Sequence, residues 1–231
     1  MKVMSFNTQH CKNFITKKID YQVIADAIKV CDPDIVGLNE MYGAGTGEGY
    51  EAQVEKLAAL SGMEYFYFAP ACHFAAGPYG NGFLSKRRIV SAEIVPIPDP
   101  EVKGYDGYYE TRCILKAELE GGVTVLVSHF GLNPDEHELA VSTVLANLAP
   151  EKCILMGDFN MQPQNPILQP LFENMTDTAT AFEGEKLSFP SDAPNKKIDY
   201  IFVTPDVKVL AADIPDIVAS DHRPHTAEIE I

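Results

Sequence analysis

The run Cys153-Ile154-Leu155-Met156-Gly157-Asp158-Phe159-Asn160 decides how this chain is read. Four consecutive apolar residues without helical spacing mark a strand buried on both faces, so the polar residues that follow stand at the rim of a sheet. In extended geometry Asp158 and Asn160 share one face while Phe159 points into the core. Three other stretches place polar groups at strand ends in the same way. Residues 2–6 lead to Ser5-Phe6-Asn7, residues 35–38 lead to Asn39-Glu40, and Ser220-Asp221-His222 precedes the last apolar run. Rims where several strand ends meet are where functional groups converge.

Around these runs the chain alternates strands and helices. Helical spacing covers residues 21–30, ending at the breaker Asp32-Pro33-Asp34, and a second helix spans about 50–60 after the glycine-rich loop 43–49. That loop lacks the Gly-Lys-Ser/Thr ending of a phosphate-binding P-loop and reads as a loop flanking the site. Strands are expected at 65–68, 82–85, 89–97 and 111–119. The last is joined to 123–130 through Gly121-Gly122 as a hairpin. A helix over 134–148 takes Asn133 as its N-cap, and strands at 198–203 and 226–231 complete the set. The 231 residues need no second core, so one domain over 1–231 is expected, with two sheets face to face and helices outside.

Composition narrows the function. The chain is 46% hydrophobic and 22% charged, ordinary for a folded domain. Its 33 acidic and 18 basic side chains leave a net charge of −15, which argues against a broad basic surface gripping polyanions. Phosphate chemistry stays open, because bound divalent cations invert the potential around clustered carboxylates. No run approaches the ~20 apolar residues of a membrane span, and the N-terminus turns polar too early for a signal peptide. Cys11, Cys31, Cys72, Cys113 and Cys153 form no CxxC pair and read as reduced thiols, so a cytoplasmic, monomeric protein is expected.

Each polar cluster has a structural and a chemical reading. Glu40 alone caps a loop as readily as it holds a cation. Asp158 and Asn160 can form an Asx turn, or can together hold a water and a phosphoryl oxygen. His222 and an upstream Asp199 offer a carboxylate–imidazole pair, in which the carboxylate fixes the tautomer and favours the charged ring. His129 ends the apolar run 123–127 as a second imidazole, whereas His137 and His225 read as structural.

The ordered set Ser5-Phe6-Asn7, Leu38-Asn39-Glu40, Gly80-Asn81-Gly82-Phe83-Leu84-Ser85, Ser128-His129-Phe130, Gly157-Asp158-Phe159-Asn160, Lys197-Ile198-Asp199-Tyr200-Ile201 and Ser220-Asp221-His222-Arg223-Pro224 resembles the endonuclease/exonuclease/phosphatase (DNase I-like) superfamily. Each motif is short, but their order from residue 5 to residue 224 is specific. The resemblance implies an α+β fold, a four-layered αββα sandwich of two mainly antiparallel sheets flanked by helices. It also implies hydrolysis of a phosphoester by water with Mg²⁺ or Mn²⁺. On matching positions, Glu40 would bind the metal with Asn7 nearby, Asp221 would help hold a metal or position His222, and Asp158 would orient or deprotonate the water. Asn160 and His129 would contact the phosphoryl oxygens, and His222, held by Asp199, would stabilise the developing charge. Asn81, Tyr109 and Arg112 would contact substrate, the last two from the strand before the hairpin. The branch that cuts at abasic sites commonly has an acidic residue two after the first Asn. Here that residue is Gln9, which disfavours a second metal and that activity.

A phosphoester hydrolase acting on a small molecule, lipid headgroup or nucleotide is therefore expected. A nuclease of the same chemistry is the alternative, and a non-catalytic binding protein on the same fold is the third reading. Selectivity is assigned to the loops 42–49, 71–79 and 98–108.

Overall fold

The computed structural model describes residues 1–45 and 51–231. In chain order the elements are β1 (Lys2–Asn7), α1 (Tyr21–Cys31), β2 (Ile35–Tyr42), α2 (Gln53–Ser61), β3 (Tyr65–Phe74), β4 (Gly77–Ser85), β5 (Ile89–Pro96), β6 (Cys113–Leu119) and β7 (Val123–Ser128). They continue with α3 (Pro134–Asn147), β8 (Cys153–Asp158), α4 (Gln169–Asn174), β9 (Thr176–Asp177), β10 (Asp199–Val203), β11 (Lys208–Asp213) and β12 (His225–Glu230). One sheet runs β11-β12-β1-β2-β4-β3 and the other β5-β6-β7-β8-β10-β9.

Three apolar cores make four layers. Successive residues of a strand enter different cores, which is why the strands read as unbroken apolar runs. In β1, Val3 faces the space between the sheets while Met4 and Phe6 face α1 and α2. In β8, Ile154 and Met156 face the other sheet while Leu155 meets the core under α3 and α4. The pairs β1–β2 and β7–β8 are parallel and all other pairs antiparallel, so the α+β, αββα expectation holds. Each parallel pair lies in the middle of its sheet, and the C-terminal ends of both pairs open on one rim. Among the described residues, no helix is long and apolar enough to cross a membrane.

Several boundaries shift for local reasons. β2 does not stop at Leu38. It continues to Tyr42 through a bulge in which Asn39 and Glu40 together oppose Asn81, and Glu40 adopts φ 61°. β6 begins at Cys113, so Tyr109 and Arg112 lie in the preceding loop rather than on the strand. β11, an outer strand of exposed and half-buried residues, was not expected. Helix α2 begins at Gln53; residues 46–50 of the glycine-rich loop and of the expected helix start lie outside the described residues. Asn133 does stand at the N-cap of α3, with its backbone N–H donating to the Glu136 carboxylate at 3.1 Å.

Candidate active site

The two sheets approach closely beneath the rim. At Gly37 in β2, a Cβ would lie 2.5 Å from Met156 Sδ on the facing sheet, so any larger residue would displace that side chain. Gly157 is more constrained still. Its φ is 147°, and a Cβ there would meet the Ser128 carbonyl oxygen at 1.7 Å. The Gly157 contact lies within one sheet, between β8 and β7, whereas the close approach at Gly37 lets side chains of one sheet bond to the other.

Asn39 carries that connection. Fully buried, its Nδ2 donates to Asn81 Oδ1 (2.8 Å) and to the Ser128 carbonyl (3.1 Å), while its Oδ1 accepts from the Asp158 backbone N–H (2.9 Å). A buried amide with donors and acceptors all engaged fixes its neighbours in place. Asn81 is in turn bonded through Nδ2 to the Cys113 carbonyl (2.9 Å). Asn81 is buried with both ends of its amide engaged by protein partners, so it acts as a brace between the two sheets.

Above this brace stands Asp158. Its Oδ2 accepts from Asn7 Nδ2 at 3.0 Å and lies 3.5 Å from His129 Nε2 and 3.6 Å from His222 Nε2. Its Oδ1 accepts from the Asn160 backbone N–H at 2.9 Å. The two residues are thus joined by an Asx turn with Asn160 at φ 53°, not by the extended alternation expected. Phe159 nonetheless points inward, stacked on Phe130 with ring centroids 4.2 Å apart. The Asn160 amide reaches the His129 ring, Nδ2 to Nε2 3.1 Å, and the Phe130 carbonyl, 3.0 Å.

The two histidines beside Asp158 are held in opposite charge states. His222 Nδ1 is 2.8 Å from Asp199 Oδ2, and Phe189 covers the ring at 4.8 Å. Burial works against its charge, but the carboxylates of Asp199 and Asp158 outweigh burial and raise its pKa to about 10. His129 sits well below the ordinary imidazole value, through burial and the adjacent Arg112 cation. Arg112 Nη1 is 2.9 Å from His129 Nδ1 and 2.6 Å from Glu110 Oε1. A guanidinium only donates, so Nδ1 accepts and the ring proton belongs on Nε2, facing Asp158 Oδ2; the Asn160 Nδ2, itself a donor, is then a neighbour of that N–H and not its hydrogen-bond partner. Asp158 itself is pushed above the usual carboxylate range by burial and by the charge of Asp199, against the opposing pull of His222.

Glu40 completes the cluster. Asn7 Nδ2 donates to its Oε1 at 3.1 Å as well as to Asp158, so one amide joins the two carboxylates. Burial would raise Glu40, yet the neighbouring His10 and His129 rings, the Asn7 amide and the His222 charge more than offset it and hold the carboxyl below its ordinary range. Burial and the Glu40 charge raise the pKa of the neighbouring Tyr79 hydroxyl. Oxygen donors from Glu40 and Asp158 are the ligand type that hard divalent cations take, and a cation would relieve this crowding of carboxylates; Asn7 turns its Nδ2 toward them while its Oδ1 accepts from the Gln9 N–H at 3.1 Å. Ligand atoms of Asp158, Asp199 and His222 also lie within 4.8 Å of one another. A ring that is protonated and bonded to Asp199 is a poor metal ligand, so the Glu40 side fits a cation better.

Two expected residues fall outside this arrangement. The Tyr109 hydroxyl donates to Asp135 Oδ2 at 2.8 Å, on α3, rather than into the cluster. Asp221 accepts from Ser220 Oγ at 3.0 Å, whereas the His222 ring is held by Asp199 through Nδ1. It does sense the Glu40 and His222 charges, and burial raises its pKa. Sequence reading assigned no role to Asn39, Tyr79 or Glu110. For Asn39 a signal existed, since an amide inside a doubly buried strand must find partners.

The profile of the Endonuclease/Exonuclease/phosphatase family matches residues 4–222. No curated protein matches the sequence. Among solved structures, an endonuclease/exonuclease/phosphatase from Beutenbergia cavernae is similar over 100% of this chain and 71% of its own, at 23% identity and TM-score 0.80. One from Bacteroides vulgatus is similar over 100% and 98%, at 20% identity and TM-score 0.78. A mannosyl-6-phosphatase from Bacteroides thetaiotaomicron covers 100% in both directions, at 17% identity and TM-score 0.78. These likenesses show the fold. With the family profile spanning nearly the whole sequence, the chain belongs to the endonuclease/exonuclease/phosphatase family.

Proposed function

We propose that the protein is a divalent-cation-dependent phosphoester hydrolase, acting on a small molecule, lipid headgroup or nucleotide. One observation carries this reading. The buried Asp158 carboxylate stands between a neutral and a protonated imidazole, beside a second carboxylate, Glu40. Carboxylates with opposed pKa shifts in one site separate into different roles. Asp158, raised, is the group that takes a proton from water. Glu40, lowered, stays anionic and is the group that holds a cation, with Asn7 nearby orienting the carboxylate.

When bound, Mg²⁺ or Mn²⁺ supplies charge stabilisation to the phosphoryl oxygens. His222 contributes a fixed positive charge opposite the growing negative charge and a proton for the leaving oxygen. Asp199 keeps that ring oriented and charged. His129 Nε2–H and the Asn160 amide bind phosphoryl oxygens, and Arg112 acts behind His129. The net charge of −15 favours a small ester over a nucleic acid.

Turnover should be measured with each cation on a phosphomonoester, a phosphodiester, abasic duplex, single-stranded DNA and a phosphoinositide. Asp158→Ala and His222→Ala are each expected to lower kcat by a factor of about 10²–10⁴ while the fold is retained. Cation-independent or absent turnover across all substrates would overturn the reading.

A further inference from the structure

Beside Glu40 lies a feature that neither the family motifs nor the mechanism uses. After β1 the chain passes through three consecutive non-glycine residues in the left-handed region, Gln9 (φ 47°), His10 (φ 48°) and Cys11 (φ 61°). Glu40, opposite them, is left-handed as well. Such conformations persist only where surrounding contacts over-determine them. The Gln9 N–H donates to Asn7 Oδ1 at 3.1 Å and the Gln9 and Cys11 carbonyls accept from the Lys12 and Asp20 N–H groups at 2.9 and 2.8 Å, while the remaining carbonyl, of His10, is taken by a side chain that also reaches β2. Gln53, in the first turn of α2, is fully buried. Its Nε2 donates to the His10 carbonyl at 2.9 Å and its Oε1 accepts from the Tyr42 backbone N–H at 2.9 Å.

Those partners frame Glu40. Tyr42 is two residues beyond it in β2. His10 turns its Nδ1 to within 3.9 Å of Glu40 Oε2, with its ring edge against Tyr42 at 6.0 Å. One primary amide offers a donor and an acceptor at the same time, so it can tie a carbonyl of one segment to an N–H of the other. Neither a hydrocarbon of equal length nor a shorter amide can make both bonds at once.

We propose that Gln53 is a positioning residue for the cation-binding carboxylate. By bridging the His10 carbonyl to the Tyr42 N–H it holds the left-handed turn 9–11 against the bulge of β2 and aims Glu40 into the site. The role rests on the reading of Glu40 as a cation ligand, but the bridge is a property of the protein without metal.

Two readouts keep these apart. Mn²⁺ binding is followed by the spectroscopic signal of the free ion in electron paramagnetic resonance. The packing of His10 on Tyr42 is followed in metal-free protein by ring-to-ring nuclear Overhauser effects. Gln53→Met is expected to weaken Mn²⁺ binding tenfold or more and to erase the His10–Tyr42 ring contacts. In a Glu40→Gln background the same change should weaken binding less than twofold further, because the carboxylate it aims is gone.

Retention of both the ring contacts and the Mn²⁺ affinity in Gln53→Met would overturn the proposal. So would an equal loss of affinity with and without Glu40, since that is general destabilisation. If the parent protein binds no Mn²⁺ while Gln53→Met erases the ring contacts, the bridge stands and the cation reading fails. If Gln53→Met does not fold, Gln53→Asn, too short by one methylene to span both partners, is decided by the same readouts.

Discussion

Asp199 shows how one carboxylate sets the working pH of a site. It keeps His222 protonated to about pH 10, whereas an unperturbed imidazole titrates near 6.5. The pair therefore adds stability in full below about 6.5, where the ring is charged folded or unfolded, and this is lost as pH rises through about 10. Asp199→Asn keeps the shape of the contact and removes its charge. The expected result is that the alkaline limb of the kcat/KM–pH profile moves down toward neutrality, with kcat at pH 8 reduced by about 10²-fold or more. An unmoved alkaline limb would separate His222 from that ionisation. At this scale the sequence was legible for identities and less so for bonds. Asp158, Asp199, His222, His129, Asn160, Glu40 and Asn7 do converge. What sequence could not express is which atom bonds to which, and so Asn81 and Tyr109 were assigned to substrate although their polar atoms face the protein.

At the scale of elements, the site is built from strand ends, and backbone exceptions decide where each side chain lands. The expected strands 2–6, 35–38 and 153–156 all exist, because apolar runs buried on both faces leave a strong pattern. The bulge at Asn39-Glu40 and the left-handed Asn160 leave none, since they answer to partners distant in sequence. β11 escaped for a related reason: an edge strand with little burial needs no apolar run. Gly157 is where this scale is most exposed to test. A side chain at that position collides with the backbone of β7, not with a movable side chain. Gly157→Ala should cost about 3 kcal/mol or more of stability by denaturant unfolding and should suppress turnover even where the variant is folded. A loss below about 1 kcal/mol would mean that the β7–β8 pair yields more easily than its packing indicates.

For the whole molecule, charge and cation are linked. A chain of net charge −15 that gathers carboxylates at one rim works against its own electrostatics. A divalent cation bound there should therefore show in the melting temperature. At a hundred times its dissociation constant, a ligand of the folded state alone adds about 2.7 kcal/mol. Saturating Mn²⁺ should raise Tm by several degrees in the parent protein, whereas Glu40→Ala should melt at the same temperature with and without it. An equal rise in both would place the ion elsewhere. Fold class and layer order were legible at this scale because three cores impose their periodicity on nearly every strand. The substrate was not, since selectivity belongs to loops whose sequence follows no such period.

The bond from the Asp158 backbone N–H to Asn39 Oδ1 has one more consequence. Most protected amide hydrogens in a sheet exchange with solvent only when a strand leaves its neighbour, but this one is guarded by a side chain from the opposite sheet. Its deuterium uptake would time the parting of the two sheets, separately from the fraying of either.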